Sequence, residues 1–173
     1  MEEKDFPNVI IDTTLGHIQV ELWEHRAPIT VKNFLRYVNE SFYDGTIFHR
    51  VIDNFMIQGG GLTPDMRQKQ SGLHSAIKNE ADTGLSNERG TIAMARTQDI
   101  DSATSQFFIN VKDNKFLDYQ NDTPNGFGYA VFGRVIEGLE DVVDKIGKIK
   151  TSTIGPFSDV PAKPIMINSI KLL

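Results

Sequence analysis

Residues 48–60 place an arginine and a glutamine in a run that otherwise has the composition of a buried strand. Arg50 carries a permanent charge, and Gln58 carries an amide that can both donate and accept hydrogen bonds. Such groups need partners or a function, because burying them without hydrogen bonds costs free energy. For Arg50 taken alone, a structural ion pair is the simplest interpretation. The alternative is a fixed hydrogen-bond donor that faces a ligand.

The turn inside this run decides whether the two side chains meet. With a three-residue turn over residues 53–55, Arg50 faces Gln58 on the same side of a hairpin. A two-residue turn would place Gln58 on the opposite face. We predict the three-residue turn, in which Gln58 accepts from one guanidinium N–H and leaves the other donors free for a ligand. On the same strand His49 should point the other way, as a buried histidine with its hydrogen bonds satisfied.

Two amphipathic helices are predicted to support this hairpin. The first spans residues 28–40 and begins at Pro28, where a missing N–H does no harm. The second spans about 138–147, with Gly147 as its C-cap. Their apolar faces consist of Val31, Phe34, Leu35 and Val38, and of Leu139, Val142, Val143 and Ile146.

About eight short strands make up most of the remaining chain. A hairpin over residues 9–22 is followed by β-rich runs at 47–52, 55–58, 91–95, 106–111, 129–135 and 165–172. Eight strands with two helices predict a mainly all-β fold: a closed eight-stranded antiparallel β-barrel capped by two α-helices. Closure would remove exposed strand edges. We expect residues 1–173 to form a single domain.

Composition excludes several classes of function. The net charge of −5 and the scattered basic residues argue against binding to nucleic acid or to a membrane surface. No cysteine is present, so there is no thiolate nucleophile, and His17, His25 and His74 lack the spacing of metal ligands. We expect a cytoplasmic monomer, because the polar, acidic amino terminus does not resemble a signal peptide.

Several separated motifs, in order from about residue 8 to 172, resemble the cyclophilins, which are peptidyl-prolyl cis-trans isomerases. Two runs look most like those of bacterial cytosolic members: Ala93-Met94-Ala95-Arg96-Thr97 and Phe107-Phe108-Ile109-Asn110-Val111. Known cyclophilins are eight-stranded barrels with two helices, in agreement with the strand count. The remaining matching motifs are Phe48-His49-Arg50, Phe55-Met56-x-Gln58-Gly59-Gly60, Ser105-Gln106 and Val131-Phe132-Gly133.

The resemblance implies that Arg50 is the principal catalytic residue, assisted by Gln58 and Phe55, with no cofactor or metal. Proline-containing peptides and unfolded or flexible chains are the implied partners. The implied substrate-binding residues are Met56, Ala95, Arg96, Gln106, Phe108, Phe116, Leu117 and Tyr129. Without the resemblance, apolar members such as Met56 and Phe108 would be assigned to the core.

Two positions depart from the family pattern. Phe116 stands where cyclosporin-sensitive cyclophilins usually carry tryptophan, so an indole N–H donor is missing and weakened cyclosporin binding is expected. Tyr129 stands where many members carry histidine, a change seen in the bacterial type. It keeps an aromatic wall and a hydroxyl group.

Two other functions compete with prolyl isomerisation. A proline-directed binding module or holdase chaperone would not depend on turnover, although the intact Arg50 and Gln58 pair counts against it. A barrel that carries a small ligand would need a hollow interior, whereas bulky apolar residues occur in most strands.

Overall fold

The computed structural model describes residues 6–173 as a mainly β structure with two helical segments. Eight strands form one antiparallel sheet in the order β10-β1-β2-β7-β5-β6-β4-β3, and β8 pairs with β9 in a separate hairpin. The strands are β1 Asn8–Thr13, β2 Gly16–Leu22, β3 Phe48–Ile52, β4 Met56–Gly59, β5 Thr91–Met94, β6 Phe107–Asn110, β7 Val131–Glu137, β8 Thr151–Ile154, β9 Phe157–Pro161 and β10 Ile167–Leu172.

The first helix matches its prediction. Helix α1 spans Pro28–Asn39, with Ala27 as its N-cap and Glu40 as its C-cap. Its apolar face is buried, and Phe34 packs against Phe107 and Phe132 with ring centroids 5.7 and 5.2 Å apart. Within residues 6–173, no helix combines the length and the apolar character that crossing a membrane would require.

The second helix lies where it was predicted but differs in its geometry. It begins as a π-helical turn over Leu139–Val143 and continues as α2, Asp144–Gly147. The wide turn forms because the Gly138 carbonyl accepts from the backbone N–H groups of both Val142 and Val143, at 3.1 and 3.0 Å. The predicted C-cap at Gly147 is wrong. Gly147 is the buried last residue of α2, and Lys148 caps the helix.

The predicted closed barrel is also wrong, because the sheet is an open half-barrel with β3 and β10 at its edges. The two edge strands approach each other only near the start of β3 and the start of β10. The Phe48 N–H donates to the Ile165 carbonyl at 3.0 Å, the Ile167 N–H donates to the Thr46 carbonyl at 2.7 Å, and Ile47 and Met166 form an isolated bridge. These contacts are too few to make a continuous ladder.

The β8–β9 hairpin was not predicted, since most of its residues are exposed and give no strong apolar alternation.

The concave interior is filled by side chains. Large aromatic residues at its centre, including Phe34, Tyr37, Phe48, Phe107 and Phe132, are fully buried. Such packing leaves no hollow for a carried ligand, which argues against the small-ligand carrier. A second, smaller cluster of Met56, Ala93, Phe108 and Val131 packs separately from the main core. This cluster underlies the candidate site.

Candidate active site

The β3–β4 hairpin has the predicted register. Arg50 lies opposite Gln58, and Ile52 lies opposite Met56. The backbone N–H of Phe55 donates to the Ile52 carbonyl at 3.1 Å, and Asn54 has φ of 57°, so residues 53–55 form the three-residue turn. Asparagine tolerates this left-handed conformation better than most residues. The turn therefore places Arg50 and Gln58 side by side.

Arg50 is exposed, although the apolar residues around it in the sequence have the composition of a buried strand. In the part of the chain that the structure describes, its guanidinium has no hydrogen bond and no ion pair, so the structural ion-pair interpretation is wrong. Its strand neighbours His49 and Val51 are buried, so Arg50 lies on the opposite, exposed face of β3. All of its side-chain N–H groups are therefore available to a ligand.

Gln58 does not make the predicted hydrogen bond to Arg50. Its side-chain amide instead donates to Oε1 of Gln106 at 3.0 Å. The two glutamines thus fix each other, and the carbonyl oxygen of Gln58 remains an acceptor beside the guanidinium.

Nine of the eleven predicted site residues line one cavity of about 180 Å³. Met56 and Phe108 are almost fully buried, and Phe108 meets Tyr129 edge to face with centroids 5.7 Å apart. A single small apolar ring matches a cavity of this size and lining. The lining residues are Arg50, Phe55, Met56, Gln58, Ala95, Arg96, Phe108, Leu117 and Tyr129. We call this cavity the slot.

The other two predicted residues lie beside the slot. Gln106 reaches it through its contact with Gln58. Phe116 is 65% exposed and lies at the rim, with its ring centroid 5.7 Å from that of Phe55. Phe116 can therefore contact a long ligand without lining the slot itself.

The side chain of Arg96 holds one wall of the slot in place. Its guanidinium donates to the carbonyl oxygens of Gly128, Thr97 and Pro124 at 2.9, 2.9 and 3.0 Å, and it lies 4.8 Å from the ring centroid of Tyr129. The sequence had suggested only a role for the Arg96 backbone. The structure adds a clamp between the loop at 121–128 and the aromatic wall.

His49 is buried, as predicted, with 7% of its surface exposed. Within residues 6–173, its Nδ1 atom has no hydrogen-bond partner, so the expectation of a fully satisfied histidine is wrong. Burial, and to a smaller extent the positive charge of Arg50, together lower the pKa of His49 to about 4. The imidazole is therefore neutral at ordinary pH.

A wider and more open groove of about 860 Å³ runs beside α1. Three of its polar groups are engaged with one another, since Arg36 Nε and His74 Nε2 lie 3.4 and 2.6 Å from the carboxylate oxygens of Glu40. We therefore assign the candidate active site to the slot, where a small apolar surface and an unpaired donor occur together.

Sequence reasoning missed a layer of buried asparagines beneath the slot, Asn87, Asn110 and Asn114. One signal was available. Asn110 follows Phe107-Phe108-Ile109 in a strand that is otherwise apolar, and the burial argument that selected Arg50 applies equally to this amide.

The fold and site together define a half-barrel protein with a slot of the size of a small apolar ring, lined in part by an exposed arginine. The closest chemical match to such a ring among amino acids is a prolyl ring held in an extended peptide. The chain belongs to the family described as cyclophilin type peptidyl-prolyl cis-trans isomerase, whose model matches residues 8–172.

Individual relatives support this assignment. The chain is 58% identical over 165 residues to peptidyl-prolyl cis-trans isomerase cyp18 of Streptomyces antibioticus, covering 95% of this chain and 98% of that protein. It is 56% identical over 167 residues to peptidyl-prolyl cis-trans isomerase A of Dickeya dadantii (strain 3937), covering 96% and 84%. The protein is thus a peptidyl-prolyl cis-trans isomerase of the bacterial cyclophilin type.

A solved structure gives the same fold. A Cryptosporidium parvum cyclophilin type peptidyl-prolyl cis-trans isomerase, crystallised in the presence of the dipeptide Ala-Pro, superposes with a TM-score of 0.74 at 27% identity. The match covers 96% of this chain and 98% of that one.

Proposed function

We propose that Arg50 drives isomerisation by donating a hydrogen bond to the prolyl nitrogen of a bound X-Pro peptide. A planar peptide bond shares its nitrogen lone pair with the carbonyl, which gives a rotation barrier of about 18–20 kcal/mol. Twisting the bond localises that lone pair on nitrogen. A donor held at this nitrogen therefore binds the twisted state better than either planar isomer.

The observation that carries the proposal is the guanidinium of Arg50 at the edge of the slot, which has no hydrogen-bond or ion-pair partner among residues 6–173. A guanidinium does not deprotonate in proteins, so Arg50 acts as an electrostatic donor and not as a general acid. Because the reaction makes and breaks no covalent bond, neither a nucleophile nor a cofactor is needed. An acceleration of about 10⁵-fold requires about 7 kcal/mol. One hydrogen bond in a protein typically contributes less, so the slot must supply the rest.

The remaining residues bind the substrate in this proposal. Phe55, Met56, Phe108 and Leu117 enclose the prolyl ring, with Tyr129 and Phe116 along its wall. The backbone of Ala95 and Arg96 holds the residue that precedes proline. The free Gln58 carbonyl and its partner Gln106 meet the peptide backbone.

The proposed substrates are proline-containing peptides and unfolded or flexible protein chains, so the enzyme would assist protein folding. The Ala-Pro dipeptide present with the Cryptosporidium relative supports this class of ligand.

We further propose that the protein acts in the cytoplasm as a monomer, and its lack of cysteine suits a reducing compartment. Cyclosporin is proposed to bind weakly, because Phe116 has no N–H donor.

The deciding experiment measures proline-limited refolding of a client with the wild-type protein and with Arg50→Ala. Arg134→Ala is the matched control, since Arg134 is also an exposed strand arginine but lies on β7. We expect Arg50→Ala to lose most of the acceleration and to keep its fold, while Arg134→Ala retains full activity. Equal rates for Arg50→Ala and the wild type would contradict the proposal. Prevention of client aggregation by an inactive Arg50→Ala would point to the holdase alternative.

A further inference from the structure

Three asparagine side chains lie buried directly beneath the slot. Asn87 and Asn110 have no exposed surface, and Asn114 is 3% exposed. An amide in such surroundings destabilises the fold unless its donors and acceptor are paired. Here two hydrogen bonds link the three amides to one another, and the remaining donors pair with neighbouring backbone and side-chain oxygens.

The three amides form a chain of hydrogen bonds in which each side chain donates to the next, from Asn114 through Asn110 to Asn87. Asn114 Nδ2 donates to Asn110 Oδ1 at 2.8 Å, and Asn110 Nδ2 donates to Asn87 Oδ1 at 3.1 Å. Asn110 Nδ2 also donates to the Thr91 hydroxyl at 3.0 Å. Each amide therefore has its orientation set by the next, and such chains strengthen one another in a buried environment.

Both ends of the chain hold the backbone of slot residues. At one end, Asn114 Nδ2 donates to the Phe55 carbonyl at 2.9 Å. At the other end, Asn87 Nδ2 lies 3.3 Å from the carbonyl oxygens of Leu117 and of Tyr129. Phe55, Leu117 and Tyr129 come from three separate segments and form different walls of the slot.

Asp118 anchors the Asn87 end. Its Oδ1 atom accepts from the Asn87 backbone N–H at 2.6 Å and from Asn87 Nδ2 at 3.0 Å, and its Oδ2 atom accepts from the Ser86 hydroxyl at 2.6 Å. The carboxylate thus keeps the Asn87 amide from rotating. The order of donation through the three amides is therefore set at the Asn87 end.

We propose that Asn87, Asn110 and Asn114 are positioning residues that couple the walls of the slot and set the spacing between Phe55, Leu117 and Tyr129. The inference rests on the proposed function of the slot as the site of the prolyl ring. None of the three asparagines lines the slot, so each acts through the residues that it holds. A ring that fits between aromatic and aliphatic walls is sensitive to small changes in their separation.

The first test compares Asn114→Ala with Asn33→Ala in the full chain, using cis-trans exchange of a short X-Pro peptide measured by NMR. Asn33 is a matched control, because it is buried and donates one hydrogen bond, to the Thr104 carbonyl at 2.8 Å, away from the slot. We expect Asn114→Ala to raise KM about tenfold, as expected for loss of a packed contact to the substrate, with kcat changed less than threefold. Asn33→Ala should leave KM unchanged even where it lowers the melting temperature.

The second test asks whether the walls are coupled. Asn114 contacts Phe55 through its side chain, and its backbone carbonyl accepts from the Leu117 N–H at 2.9 Å, so a local effect of Asn114→Ala would shift the backbone amide resonances around residues 55 and 117 only. Coupling through the three amides also shifts the resonance of Tyr129, which is held by Asn87. Asn114→Ser, which keeps a shorter donor, replaces Asn114→Ala if the alanine variant fails to fold.

An unchanged KM for a destabilised but folded Asn114 variant would overturn the inference. So would shifts confined to the neighbourhoods of Phe55 and Leu117, with none at Tyr129. Arg50→Ala separates this outcome from failure of the proposed function. That variant should lose kcat and keep peptide binding, the reverse of the pattern expected for Asn114→Ala. If Arg50→Ala stayed fully active while Asn114→Ala still raised KM, the role of Arg50 would be wrong and the positioning role of the asparagines would stand.

Discussion

Gln58 lies directly opposite Arg50 in the β3–β4 pairing and donates its side-chain amide to Gln106 across 3.0 Å. Gln106 precedes β6, so this hydrogen bond ties the edge hairpin to the strand that carries Phe108. The Arg50 guanidinium has no partner in the part of the chain that the structure describes. The site therefore combines a braced polar edge with one free cationic donor, and each part can be changed separately.

Gly61→Ala should break the link between the two glutamines without touching Arg50. A Cβ at residue 61 would lie 2.3 Å from Gln106 Cγ, so the Gln106 side chain must move. We expect catalytic efficiency to fall about fivefold, the equivalent of losing about one hydrogen bond of roughly 1 kcal/mol. Steady-state isomerisation of a short peptide measures this change.

Gly147→Ala is the control for that substitution, because its Cβ would meet Val111 at an ordinary 3.7 Å. Full activity of Gly61→Ala, with Gln106 displaced in its crystal structure, would show that the glutamine pair has no part in catalysis.

Arg50→Lys should behave almost like Arg50→Ala. Lysine keeps the positive charge but loses the planar fork of donors and holds its ammonium on a flexible stem. We expect kcat to fall by about 100-fold or more, as when a fixed donor to a transition state is removed. Peptide affinity should change little, because the slot is intact.

NMR exchange at saturating peptide gives kcat in this experiment, and a titration gives the dissociation constant. Retention of activity in Arg50→Lys would mean that positive charge alone suffices and that donor geometry does not matter.

Phe116→Trp should tighten cyclosporin binding. Phe116 is 65% exposed at the rim, so the larger indole fits without repacking and supplies the N–H donor that phenylalanine lacks. One added hydrogen bond predicts about fivefold higher affinity. Isothermal titration calorimetry measures it, with Leu15→Trp in the exposed β1–β2 turn as the control for a new surface tryptophan. No gain over that control would show that the drug does not reach residue 116.

His49 should make the protein less stable as the pH falls from about 6.5 to about 4. Burial, together with the charge of Arg50, lowers the pKa of His49 to about 4, so in this range the unfolded chain binds the proton more tightly than the folded one. The stability that depends on neutral His49 is therefore fully present above about pH 6.5 and is lost as the pH falls toward about 4. The full loss is on the order of 3 kcal/mol, since one pKa unit corresponds to about 1.4 kcal/mol.

Urea unfolding of the wild type and of His49→Gln at several pH values tests this expectation. The variant should lack the decline between about pH 6.5 and 4, while both proteins share the later loss caused by carboxylate protonation. Parallel curves would assign the decline to other groups.

Hairpin register and α1 were predictable because both depend on neighbouring residues. The turn length at residues 53–55 fixes the pairing of Arg50 with Gln58, and an apolar face following Pro28 fixes the helix. The π-helical start of the second helix was not predictable in this way. It depends on the Gly138 carbonyl accepting two hydrogen bonds, and the apolar spacing of the two helix types is similar over so short a segment.

The sequence by itself determined the family, the mainly β architecture and the residues gathered around the slot, since these follow from local periodicity and from motifs that keep their order. Tertiary structure alone decided that Arg50 is exposed, with no partner among the described residues, and that the sheet is open. It alone also decided that the side chains of Asn87, Asn110 and Asn114 are linked by hydrogen bonds. The physical reason is the same in each case. Alternation along a strand tells which side chains share a face, but exposure and hydrogen-bond partners depend on segments far away in the sequence.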